Sequence, residues 1–249
     1  MDSILQGLSQ WFADVKADFV LNFIKEDRWK FITTGLQNTL LITFLAVLIG
    51  VALGVIVAVT RASYDKTAEE MPKGFKKSLF SFLNSVCKVY LTVIRGTPVV
   101  VQLMIMYYII FATSRNSVMV AILAFGINSG AYVAEIARSG IMSIDAGQFE
   151  AGRSLGFNYV QTMWYIIIPQ AFKNILPALA NEFIVLLKET SVAGYVTIRD
   201  LTMGGNIIRA STYSAFMPLI AVALIYLVMV IFFTWLVGKL ERRLRNSER

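Results

Sequence analysis

EAGRSLGFNYVQTMWYIIIPQ, Glu150–Gln170, lies between two strongly apolar stretches of a 249-residue chain. It starts polar, turns at a glycine, becomes aromatic and ends at a proline. Asp145, just upstream, is placed to cap a helix, with Gln148 three residues on in a capping-box arrangement. Phe149, Gly152 and Gly156 then recur at helical spacing, and Gly156 suits the left-handed conformation that ends a helix. Asn158 is placed to cap a second helix, again with a glutamine, Gln161, three residues later. That helix runs through Trp164 and Tyr165 to Pro169, which is expected to break it before the next apolar run. The stretch predicts a short helix, a glycine turn and a return helix whose exposed face carries Phe149, Leu155 and Phe157. Two readings of that face stand: a docking surface for another protein, or a loop packed on itself.

The surroundings decide what such an insert interrupts. The chain is 57% hydrophobic and only 16% charged, where a soluble domain carries about a quarter charged residues. Its apolar runs exceed what a soluble core helix needs, so an all-α integral membrane protein is expected. One cysteine, Cys87, rules out an internal disulfide, and the absence of histidine removes the commonest metal ligand and general base. The net charge of +7 gathers at the ends of apolar segments, which points to membrane orientation and not to nucleic acid. The first lysine is Lys16, so the basic start of a cleaved signal peptide is missing and none is expected. Residues 1–30 carry Leu8, Trp11, Phe12, Val15, Phe19 and Phe23 at helical spacing, with Asp14, Lys16, Asp18 and Lys25 between them. They form either an amphipathic helix on the outer membrane surface or a helix packed on its neighbours.

Five spans are expected. Phe31 to Thr60 is free of charge, as are Gly96 to Ser114, which is led into by the amphipathic Leu79–Ile94, and Asn116 to Ala134. Phe172 to about Val196 is interrupted by Glu182, Lys188 and Glu189, and Ala210 to Gly238 is the last. Each approaches the roughly 20 residues that a crossing helix needs. The loop after the first span holds Arg61, Lys66, Lys73, Lys76 and Lys77, and the tail holds Lys239, Arg242, Arg243, Arg245 and Arg249. The connections between spans two and three, and four and five, hold only Arg115, and Arg199 with Arg209. The positive-inside rule then places the basic loop, the insert and the C-terminus in the cytoplasm and the N-terminus outside. The division is an N-terminal segment 1–30, a transmembrane domain 31–240 with its insert at about 143–170, and a basic tail 241–249. Ala46, Gly50, Gly54 and Ala58 recur every four residues in the first span, a face for close helix packing and not a ligand site.

Residues of the insert also resemble a known signature. Glu150-Ala151-Gly152, then Gly156, then Ile166-x-Ile168-Pro169, is similar to the EAA…G…I-x-L-P pattern of permease subunits of bacterial ABC importers. Gly152 stands where that pattern has alanine, which loosens the helix by about 1 kcal/mol, and Ile168 stands where it has leucine. RGTPVVVQL (Arg95–Leu103), EIARSGI (Glu135–Ile141) and NEFIVLLKETS (Asn181–Ser191) resemble segments of the polar amino acid branch. The resemblance covers roughly residues 33–240. It implies a five-helix importer of the first structural type, located in the bacterial cytoplasmic (inner) membrane. It implies a dimer with a second permease copy or a homologous permease, two ATPase subunits below and a solute-binding protein outside. Phe149, Glu150, Ala151, Gly152, Leu155, Gly156, Phe157 and Pro169 would then form the coupling helix and its ATPase dock. ATP and Mg would sit on the partner, with no cofactor on this chain.

Charges in or near the spans cost several kcal/mol against lipid and must face protein, water or each other. Arg95, Gln102, Glu135, Glu182, Lys188, Glu189 and Ser191 are the candidate residues of a solute path. For Arg95, Glu135 and Arg138 internal pairing is the preferred reading, Arg95 with Glu135 and Arg138 with solvent. Gly96 and Pro98 are expected to kink the second span beside Arg95. Glu182 falls about 18 Å beyond Pro169, at 1.5 Å per residue, and path and structural readings of it stand equal. Lys188-Glu189-Thr190-Ser191 reads as a helix end that could gate the outer side. No Walker-type loop or metal-ligand spacing is present. The leading expectation is a permease for a polar or charged amino acid driven by a partner ATPase. The alternatives are the same architecture carrying an inorganic anion or a peptide, and a membrane enzyme or assembly scaffold.

Overall fold

The computed structural model describes residues 2–68 and 71–246, which form helices joined by turns, bends and short irregular stretches, with no strand among them. Arg249 of the basic tail lies outside the described residues, as do the side chains of Lys66 and Arg245. Helix α1 (Asp2–Phe19) leads through a π turn (Val20–Ile24) and a 3-10 turn (Lys25–Asp27) into α2 (Trp29–Thr67). Then come α3 (Phe75–Gly96), α4 (Val99–Ile105) with a π turn (Met106–Ile110), and α5 (Ser117–Met142). The insert forms α6 (Ala146–Ser154), α7 (Tyr159–Thr162) and a π turn (Met163–Ile167). The chain closes with α8 (Ile168–Glu189), a 3-10 segment (Thr190–Val196), α9 (Leu201–Thr212) and α10 (Phe216–Asn246).

Helix α5 is the centre, and most of it is buried. Its main seam is with α2, and the small residues of α2 make that seam. Ala46 and Ala58 are buried. A β-carbon added at Gly50 would lie 2.9 Å from the Ser129 side chain, and one at Gly54 2.5 Å from Val133. Lipid is as apolar as leucine, so such backbone approach, and not hydrophobic burial alone, holds two membrane helices together. Ile42, Leu103, Phe125 and Leu186 join α2, α4, α5 and α8 in one core, while Ile32, Leu201, Ile208 and Val222 join α2, α9 and α10 in another.

Among the described residues three helices are long and apolar enough to cross a membrane: Trp29–Asp65, Ser117–Met142 and Phe216–Leu244. There are four if α3 and α4, which meet at a 110° bend, count as one broken span. That bend is far sharper than a kink. Thr97 is extended, as a residue before proline must be, and Pro98 opens α4. Helix α8 has the length of a span but carries Lys173, Glu182, Lys188 and Glu189, so it does not meet the same test. The last span begins at Phe216 and not at Ala210, because the preceding connection folds into α9. Asp200 caps α9 by accepting from the Thr202 and Met203 amides, while Leu201 N donates to Thr39 Oγ1 of α2 at 3.1 Å.

The N-terminal segment is not one helix to residue 30. Helix α1 stops at Phe19, and Glu26 and Asp27 take positive φ. Asn22 is buried, donates to Ser214 Oγ and accepts from Thr212 Oγ1, and Arg28 donates to Leu21 O. Asn22 thus pins the π turn to the α9–α10 corner, whereas Leu8, Trp11, Phe12 and Phe19 on α1 are exposed.

Candidate functional site: a surface elbow and a buried polar chain

The elbow follows from local rules. Asp145 Oδ1 accepts from Gly147 N, and α6 runs for nine residues. The expected box partner, Gln148, instead accepts from Gln170 Nε2 at 3.2 Å and ties the two arms together. Gly156 has φ +82°, in the left-handed region that glycine occupies without penalty. Asn158 and Gln161 form a complete capping box, Asn158 Oδ1 accepting from Gln161 N and Gln161 Oε1 from Asn158 N, both at 2.9 Å. Pro169 does not break the return helix. The π turn carries the backbone bonding past it, with Ile168 N donating to Met163 O, and α7 runs into α8 without a non-helical residue. The return arm of the elbow therefore continues into α8 without a break.

Of the three side chains expected on the exposed face, only Leu155 is there, 72% exposed. Phe149 is half-buried and stacks on Tyr159, and Phe157 is half-buried with its ring 6.0 Å from that of Tyr165. Glu150, Ala151, Gly156 and Pro169 are exposed; Gly152 is buried against Thr162. Beneath the elbow a cavity of about 310 Å³ separates it from the ends of α2 and α5, lined in part by Asp65, Arg138, Phe149 and Tyr159. Burial pushes the Tyr159 phenol above its usual range, with the Ser63 hydroxyl beside it acting the other way. Arg138 does not face solvent alone: its Nη1 lies 3.4 Å from Asp65 Oδ2, joining α5 to α2 beside that cavity.

A second group of polar side chains runs through the helix core. At the α3–α4 break, Gln102 Nε2 donates to Ile94 O at 2.7 Å and Thr97 O at 3.0 Å, and Thr97 Oγ1 donates to Val93 O. The amide therefore caps carbonyls that the end of α3 leaves free. Gln102 Oε1 accepts from Asn128 Nδ2 of α5 at 3.0 Å. One residue on, Ser129 Oγ donates to the buried Glu182 Oε1 of α8 at 3.0 Å. Asn128 and Ser129 thus stand between the break and α8. Neither was singled out from sequence; a pair of polar residues amid the apolar Asn116–Ala134 run was the available signal.

Among the described residues no hydrogen bond joins the remaining predicted residues to this polar group. Arg95 Nη1 is 3.4 Å from Glu135 Oε2, with the side chains 44% and 36% exposed, and the guanidinium lies over the Tyr132 ring. Lys188 is exposed and Glu189 and Ser191 are half-buried where α8 passes into its 3-10 extension. Among the described residues no group of three or more His, Cys, Asp or Glu could hold a metal ion.

Residues 74–246 match the family described as binding-protein-dependent transport system inner membrane component. The chain is 35% identical over 221 residues to the arginine transport system permease protein ArtQ of Bacillus subtilis (strain 168), covering 88% of this chain and 94% of that one. It is 32% identical over 217 residues to the putative glutamine transport system permease protein GlnP of Rickettsia bellii (strain RML369-C), covering 86% and 93%. A chain of a crystal structure of an amino acid ABC transporter with histidines superposes with a TM-score of 0.76 at 42% identity, covering 89% of this chain and 98% of that one.

Proposed function

The chain belongs to the family of binding-protein-dependent transport system inner membrane components, and on that premise we propose that it is the permease of an ATP-driven importer for a polar amino acid. Members of this family are transport subunits and not enzymes; hydrolysis of ATP belongs to a separate subunit. The chain is a component of the bacterial inner membrane. Relatives named for arginine and glutamine support the amino acid class. Its working assembly is a pair of permeases, this chain with a second copy or a homologous permease. Two ATPases sit below, holding ATP and Mg, and a solute-binding protein sits outside.

The observation that carries this reading is the elbow. It presents Glu150, Ala151, Leu155 and Gly156 outward on a capped, glycine-turned helix that continues into α8. An ATPase that grips the elbow would move α8 as a rod and with it Glu182, the carboxylate bonded across to α5. The solute path takes Gln102 and Glu182 at its middle and Lys188, Glu189 and Ser191 at its outer end, with the Arg95–Glu135 pair at its margin. Counting the bent α3–α4 pair and α8, five spans put the N-terminus outside and the basic loop, elbow and tail in the cytoplasm. Residues 1–30 form the outer surface segment, 31–240 the permease domain and 241–249 the tail.

Two variants test this in the transporter reconstituted with its ATPase. Gly156→Asp sets a β-carbon and a charge on a left-handed residue at the dock, at a backbone cost of about 1–3 kcal/mol, so the ATPase fails to co-purify and uptake stops. Glu182→Gln keeps assembly and basal hydrolysis but weakens stimulation by solute. Full ATPase recovery with full uptake in the first variant, or unchanged stimulation in the second, removes the corresponding role. Orientation is tested by an impermeant thiol reagent in a Cys87→Ser background. Arg115→Cys is labelled in intact cells and Lys73→Cys only after lysis; the reverse pattern overturns the arrangement.

A further inference from the structure

Arg61 of α2, Lys88, Leu91, Thr92 and Arg95 of α3, and Glu135 of α5 line a cavity of about 340 Å³. It holds three cations and one carboxylate. The single acid is already committed to Arg95, and at 3.4 Å that pair is longer than the 2.7–2.9 Å of a tight charge-assisted bond. The neighbouring acid on α2, Asp65, is taken by Arg138. Lys88 is exposed, and among the described residues it has no carboxylate partner. Arg61 Nε is buried and finds no acceptor, and a buried donor left unmade is costly. The cavity is short of an anion that accepts several hydrogen bonds and donates none, which is the description of a phosphate diester.

The surface beside it says how that phosphate arrives. Leu79, Phe82, Val86, Val89 and Val93 of α3 recur at helical spacing and are 47–64% exposed. Lys88 and Thr92 each lie one residue back from that stripe, about 100° round the helix. A charged cavity and an apolar track thus run side by side along one helix. A soluble phosphate uses only the first; a phospholipid uses both. Glu135 repels a bare phosphate, yet it can accept from a headgroup hydroxyl, and Thr92 can do so too. We propose that the Arg61–Lys88–Arg95 cavity binds the phosphate of an anionic, hydroxyl-bearing phospholipid, its acyl chains lying along the exposed face of α3. With the orientation proposed above this is the cytoplasmic leaflet, where basic pockets between membrane helices hold anionic headgroups.

The test uses the intact transporter, stripped of lipid in a neutral detergent. Phosphatidylglycerol, phosphatidylcholine with the same acyl chains, glycerol phosphate and inorganic phosphate are titrated separately, and bound ligand is read by native mass spectrometry. Phosphatidylglycerol binds in preference to the other three. Lys88→Gln weakens it about fivefold, Arg61→Gln with Lys88→Gln about twenty-fivefold, and Arg61→Lys far less than Arg61→Gln, from roughly fivefold per cation at a membrane surface. Equal binding of phosphatidylcholine, or an unchanged affinity in Lys88→Gln, overturns the site; Lys88 is exposed, so this variant tests charge without disturbing the core. Binding of glycerol phosphate or inorganic phosphate as tightly as the lipid overturns the lipid assignment in favour of a soluble anion. Detergent has no leaflets, so a wrong orientation leaves this titration unchanged and shows only in the thiol labelling.

Discussion

The elbow at residues 146–170 and the break at residues 94–103 both redirect a helix, the first at Gly156 and the second at Thr97 and Pro98. They solve the same problem by opposite means. A turned helix frees carbonyls and amides that need partners. In the elbow the partners are local: Asn158 and Gln161 cap each other's backbone across three residues, and Ile168 N reaches Met163 O. At the break the cap is Gln102, which reaches eight residues back to Ile94 O and is held by Asn128, twenty-six residues on in α5. The elbow is self-sufficient and free to be gripped and moved. The break is fixed by the helix it leans on, through part-buried bonds to Ile94 O and Asn128 Nδ2.

The largest expected effect comes from cutting the non-local cap. Gln102→Leu keeps the volume but leaves Ile94 O, Thr97 O and Asn128 Nδ2 without their partner. At about 1–3 kcal/mol for each unmade buried bond, the two part-buried bonds to Ile94 O and Asn128 Nδ2 make the loss about 2 kcal/mol or more. It should show as a large fall in the thermal midpoint of the purified protein. The matching cut in the elbow, Asn158→Ala, should cost only about 1 kcal/mol, the usual worth of a helix N-cap, because solvent reaches the freed Gln161 amide. Equal losses in the two variants would mean that the break is as self-sufficient as the elbow.

The same difference explains what could be read from the sequence. The capping box at Asn158, the left-handed Gly156 and the packing face Ala46–Gly50–Gly54–Ala58 are patterns within a few turns, and each is written in residue type and spacing. The 110° bend is legible in sequence only as a kink, since the cap that holds it, Gln102, is itself held by Asn128, twenty-six residues on. Helix α9 reads as a connection in sequence; Asp200 caps its start locally, but the contact that docks it, Leu201 N on Thr39 Oγ1 of α2, lies far away along the chain. The partner of Arg138, Asp65, lies seventy-three residues away, so only the need for a partner could be read. Phe149 and Phe157 were expected on the outer face because helical spacing gives a direction; their burial depends on Tyr159 and Tyr165 folding back over them.

The smallest effect sharpens the comparison inside the elbow. Gly152 stands where the importer signature has alanine, and helix propensity alone makes Gly152→Ala stabilising by about 1 kcal/mol. The structure reverses that sign. A β-carbon at residue 152 would lie 2.7 Å from both Cγ2 and Oγ1 of Thr162. Thr162 is buried and its hydroxyl donates to Asn158 O at 3.1 Å, so the side chain is not free to turn aside. Overpacking of this kind costs roughly 1–3 kcal/mol, which outweighs the gain and leaves Gly152→Ala about 1 kcal/mol less stable. Thr162→Ala removes both obstructing atoms, and the amide of residue 162 still donates to Asn158 O, so no acceptor is stranded. In a double-mutant cycle followed by thermal unfolding, Gly152→Ala should therefore destabilise the native protein but stabilise the Thr162→Ala background, a coupling well above the few tenths of a kcal/mol expected of independent sites. Additive effects would show that the elbow relaxes around the new methyl, and that its glycine answers a partner outside the chain and not the threonine beneath it.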